Sequence, residues 1–77
     1  GGMDKYRKAR SNFDESRRDL ENAVNDLENR NEVLEKRINE FSKAAKDLGL
    51  SPNTVKEYSE AEAMLQDSKA IVKNTKL

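Results

Sequence analysis

The side chains best suited to chemistry in this 77-residue chain are its charges: fifteen basic and fifteen acidic residues, with two tyrosines and no cysteine or histidine. Carboxylates could act as general acids and bases or bind hard cations, and clustered lysine and arginine could hold phosphate. Most of them instead stand at charge-pair spacing, as in Asp14–Arg18 and Glu32–Lys36, which reads as solvated pairs on helix faces. No nucleophile has a companion base, and no Gly-rich loop or Ca²⁺-ligand pattern occurs. Without Cys and His, disulfides, Cys/His zinc centres and His-based catalysis fall away. The sequence therefore predicts a protein that is not an enzyme, with no catalytic residue, cofactor or metal.

Two stretches carry more pattern. Ala45-x-x-Leu48-Gly49-Leu50-Ser51-Pro52-Asn53-Thr54-Val55-x-x-Tyr58 resembles the helix-turn-helix of LuxR-type bacterial regulators, over 14 of the 77 residues. The resemblance implies that Ser51 to Tyr58 open a recognition helix for the DNA major groove. Lys5, Arg7, Lys8, Arg10, Arg17 and Arg18 precede Leu20, Leu27 and Leu34, a layout similar to basic-zipper factors. Either resemblance implies a small nucleic-acid-binding regulator, and this is the alternative function.

The residues support a plainer reading first. Glu57, Glu60, Glu62 and Asp67 would repel phosphate, and Asp14, Glu15 and Asp19 interrupt the basic run. The letters around Gly49 also spell a helix stop and restart. Gly49 is the C′ residue, Leu50 is the apolar C″ residue folding back near Ala45, Ser51 is an N-cap and Pro52 is at N1.

The element leading into that stop is long. Tyr6, Phe13, Leu20, Leu27, Leu34, Phe41 and Leu48 recur at a step of seven, the period of a coiled coil. With these at heptad position d, the a positions are Met3, Arg10, Arg17, Val24, Asn31, Ile38 and Ala45. The centre, Val24–Leu27–Asn31–Leu34–Ile38, has β-branched residues and one Asn at a and Leu at d, which favours a parallel two-stranded coil with Asn31 fixing register. In that arrangement Arg30 faces Glu35 of the other strand. Arg10 and Arg17 loosen the N-terminal end. Near 34–48 the stripe widens to include Ala44, as suits a helix with several neighbours.

We thus expect a long helix over 4–48, a turn at 49–51, a second helix over 52–74 and a frayed tail at 75–77. Residues 1–3 read as a tag remnant and start: Gly1 and Gly2 before Met3 stand outside the fold argument. The short turn favours an antiparallel return, with Leu50, Val55, Tyr58, Ala61, Leu65, Ile71 and Val72 packing the hairpin. Met64 and Ser68 complete the second stripe, and Ala61 and Ser68 allow close approach.

The second helix reaches back only to about Val24, so Tyr6, Phe13 and Leu20 need another partner. The expected architecture is an all-α helical hairpin that homodimerises through a parallel coiled coil. Its oligomer interface runs through Tyr6, Phe13, Leu20, Val24, Leu27, Asn31, Leu34, Ile38, Phe41, Ala45 and Leu48, and a four-helix bundle forms at the hairpin end. The expected function is scaffolding or oligomerisation within a larger protein or assembly. A helical adaptor that binds a partner's helix through the N-terminal seam is a further alternative.

Composition agrees with that class. The chain is 34% apolar and 39% charged, enough for a stripe and too little for a compact core. Net charge is zero, but residues 1–18 hold six bases against three acids, and residues 19–40 hold seven acids against three bases. Nucleic acid is a minor candidate partner, and no membrane partner is expected, since no apolar run approaches the roughly 20 residues of a bilayer span. With no cysteine and no signal peptide, an intracellular location is the expectation.

Overall fold

The computed structural model describes residues 1–76. Leu77, assigned by the sequence to a frayed tail, lies outside the described residues. Helix α1 spans Gly2–Asp47, a 3-10 turn spans Pro52–Thr54, and helix α2 spans Lys56–Lys76. The described residues contain no strand. The molecule is a rod of 72 × 19 × 15 Å.

Helix α1 runs 46 residues because nothing in it opposes helical dihedrals after Gly2. Its exposed face is tied by pairs one turn apart: Arg10–Asp14 at 3.3 Å, Arg17–Glu21 at 2.7 Å and Arg30–Asp26 at 2.9 Å. Asp14 therefore pairs with Arg10 and with Arg17, at 3.9 Å, rather than with the expected Arg18. The helix also begins two residues earlier than predicted, because Gly2 and Met3 accept helical backbone at small cost.

The stop is made by backbone geometry. Gly49 has φ +75°, a conformation in which an L side chain is strained. Its N–H donates to the Lys46 carbonyl at 2.9 Å, and the Leu50 N–H donates to the Ala45 carbonyl at 2.9 Å. This is the Schellman arrangement, with Leu48 as the cap residue, so the helix proper closes at Asp47 rather than Leu48. The Leu50 side chain does not fold back as expected and stays exposed.

The restart differs from a single helix beginning at Pro52. Ser51 is extended, as the residue before a proline prefers. Its carbonyl accepts both the Thr54 N–H, at 3.1 Å, and the Thr54 hydroxyl, at 2.7 Å, which tightens the chain into one 3-10 turn. The β-branched Val55 then returns to extended dihedrals, and α2 starts at Lys56. At the far end α2 continues through Thr75 and Lys76, where fraying was expected. The Thr75 hydroxyl donates to the Ile71 carbonyl at 2.7 Å, and Lys76 reaches Glu28 at 3.2 Å.

Helix α2 runs back beside α1. Ser68 meets Asn31, Lys69 meets Glu35, Lys76 meets Glu28, and the Tyr58 ring sits 5.8 Å from Phe41. Rising numbers on one helix meet falling numbers on the other, so the two are antiparallel. The buried residues of α1 are Val24, Asn31, Ile38 and Ala45, again at a step of seven. Those of α2 are Leu65 and Val72, with Tyr58, Ala61 and Ser68 half-buried. Val55 and Ile71, expected in this contact, are exposed. Ile71 precedes Val72 by one residue, which turns it about 100° around the helix.

Candidate assembly surface

The heptad splits into two ladders with different fates. The a ladder from Val24 to Ala45 lies under α2 of the same chain. These four residues were expected in a seam with a second chain, and the chain's own return covers them instead. The d ladder runs along the edge of that contact. Leu27 and Leu34 are half-buried, while Phe41 and Leu48 are exposed, Leu48 at 78%.

Asn31 shows the difference most clearly. It is 7% exposed, and its Oδ1 accepts the Ser68 hydroxyl at 2.7 Å. The heptad alone predicts this amide facing its counterpart across a dimer axis. The signal for the observed bond was available: Ser68 is a polar residue in an otherwise apolar stripe of α2. No buried side-chain N or O among the described residues lacks a partner. The other proposed register device, Arg30 against Glu35 of a second strand, is engaged too. Arg30 holds Asp26, and Glu35 holds Lys69 at 2.8 Å.

The two sides of the helix pair are unlike. With Leu65 and Val72 as the a positions of α2 and Ala61 and Ser68 as its d positions, e positions meet on one side as Glu35–Lys69 and Glu28–Lys76, a charged closure. On the other, Leu34, Ile38, Phe41, Val55, Tyr58 and Ala61 line an open, mainly apolar groove, with Arg37 and Glu57 also on its wall. Antiparallel pairing places e with e on one flank and g with g on the other, and the g positions of α2 include Met64 and Ile71. Both are exposed.

Toward the N-terminus the d ladder continues with no cover. Tyr6 is 58% exposed, Phe13 62% and Leu20 63%. The last described residues of α2, Thr75 and Lys76, line a surface hollow with Leu20, Val24 and Asn25. Cover by the described part of α2 therefore stops at about Val24. Below that level both ladders of α1 face water over about six turns, at 3.6 residues per turn.

The nucleic-acid alternatives meet specific geometry. Helix-turn-helix pairs cross at about 90–120°, whereas α2 lies back along α1 with Pro52 buried and Tyr58 against Phe41. Lys56 at its start is paired with Glu60 at 3.6 Å. In the basic N-terminal stretch, Arg10 and Arg17 are held by Asp14 and Glu21. Among the described residues no group of acidic side chains is placed to hold a metal ion, and no helix is long and apolar enough to cross a membrane. Comparison with protein-family profiles, curated proteins and solved structures finds no match to this chain.

Proposed function

We propose that this chain is a non-enzymatic assembly module: a helical hairpin that self-associates through the uncovered part of its long helix and so spaces or oligomerises a larger structure. The observation that carries this reading is the line of Tyr6, Phe13 and Leu20, each more than half exposed on one stripe of one helix. A helix that presents such a stripe at a seven-residue step is stabilised by burying it against another helix. The apolar groove beside Phe41 and Tyr58 extends the same flank, and packing there would widen the contact into a helical bundle. Because Asn31, Arg30 and Glu35 are engaged within the chain, support for association rests on the d ladder rather than on those groups.

Sedimentation equilibrium tests it. The wild type should reach a dimer in the micromolar range, and Phe13→Ser should shift association to at least tenfold higher concentration while leaving the melting of the α1–α2 contact unchanged. A strict monomer across that range would overturn the proposal.

A further inference from the structure

The direction of the second copy can be argued from the seam it would cover. Two docking directions are open to the uncovered residues of α1, and their chemistry differs. In a parallel arrangement like positions stack, so Arg10 would face Arg10 and Arg17 would face Arg17 at core positions. The flanking g positions there are Ala9, Ser16 and Ala23, so no charge stands ready to meet Arg7, Asp14 or Glu21 of the other strand. Like charges then meet at the core, relieved only by each strand's own Asp14 and Glu21 and by nothing from the other strand, which makes that direction the less favourable.

The antiparallel direction reuses the geometry that the chain already shows. In the α1–α2 contact an a residue lies level with a d residue, as Asn31 with Ser68, and flanking e residues pair, as Glu35 with Lys69. The same offsets applied to two copies of α1 set Arg10 level with the second copy's Phe13 and Arg17 level with its Tyr6. Each arginine then packs its stem and guanidinium against an aromatic ring instead of another arginine. Arg7, which has no ion pair among the described residues, faces the second copy's Glu21, whose carboxylate already holds its own Arg17 at 2.7 Å and has lone pairs for a second guanidinium, twice by symmetry. Small residues meet on the opposite flank, Ala9 beside Ser16, and permit close approach. The one like-charge approach joins the two Asp14 side chains, and each is already flanked by its own Arg10 and Arg17 at 3.3 and 3.9 Å.

The register is also fixed. One heptad further would require Val24, which α2 already buries, and one heptad less would leave Leu20 bare. We infer that the occupant of the uncovered seam is α1 of a second copy, docked antiparallel, running in the direction of α2 and taking up the α1 track where α2 leaves it. The inference rests on the self-association reading and adds the direction and register of the contact. The dimer is then a rod with its two turns at opposite ends.

The absence of cysteine allows site-specific spin labels without background. Glu15→Cys and Lys43→Cys both label outward-facing f positions that avoid the seam. In the antiparallel dimer the two Glu15→Cys labels lie within roughly 30 Å, and the two Lys43→Cys labels lie about 95 Å apart along the rod, at 1.5 Å per residue. Small-angle scattering of the unlabelled dimer gives an independent length of about 110 Å, against 72 Å for one chain. Lys43→Cys labels within roughly 30 Å, or a dimer no longer than one chain, would show parallel docking and overturn the inference while leaving self-association standing. A monomer at all concentrations would overturn both.

Discussion

Across the contact between α1 and α2, the Ser68 hydroxyl donates a 2.7 Å hydrogen bond to the Asn31 amide oxygen, linking residues 37 apart in sequence. The pair sits at the middle of a buried row otherwise made of Val24, Ile38, Ala45, Leu65 and Val72. A hydrogen bond of this kind contributes about 1 kcal/mol, and a buried group left without its partner costs about 1–3 kcal/mol. Ser68→Ala should therefore lower stability by about 1 kcal/mol in urea titration followed by circular dichroism. Asn31→Leu combined with Ser68→Ala should recover that loss or exceed it, because both polar groups leave together. A double variant weaker than either single one would show that the bond sets more than local stability.

Burial separates two leucines that the sequence treats alike. Leu65 is 4% exposed and Leu48 is 78% exposed. Leu65→Ala should cost about 2–4 kcal/mol, enough to detach α2 from a chain with so small a core. Leu48→Ala should cost under about 0.5 kcal/mol, as surface changes do. Thermal melts at low concentration, where each chain is single, check both. Equal losses would contradict the observed packing.

Gly49 holds φ +75° with open space around it, so an added methyl group meets no neighbour and the cost is backbone strain alone. Gly49→Ala should lower stability by roughly 1 kcal/mol, and Gly49→Asn by less, since Asn tolerates left-handed dihedrals better. The same melts distinguish them, and an Ala variant as stable as wild type would show that the turn can close without the left-handed residue.

The two helices were legible because a seven-residue apolar step without proline leaves few other structures open, and the turn was legible from Gly49 and Pro52. The start of α2 was not, because Thr54 adds a hydroxyl bond to the Ser51 carbonyl that no periodicity announces. The partition of the heptad was also missed. A sequence shows one stripe of a and d positions, whereas the position of α2 decides that a is covered and d is left at the edge. Asn31 misled for that reason: a lone polar core residue signals a specific partner without saying which chain supplies it.

If the chain self-associates as proposed, the unequal lengths of the helices, 46 residues against 21, make the amide protection of α1 a function of protein concentration. Beyond the level of Val24 each turn of α1 holds itself by its own hydrogen bonds and by pairs such as Arg17–Glu21, and a lone helical segment of about 20 residues opens readily in water. Deuterium should enter that stretch quickly in dilute samples, while amides around Asn31 exchange slowly at every dilution. On that reading half of this helix is a reporter of company, its amides slowed only when something lies against it.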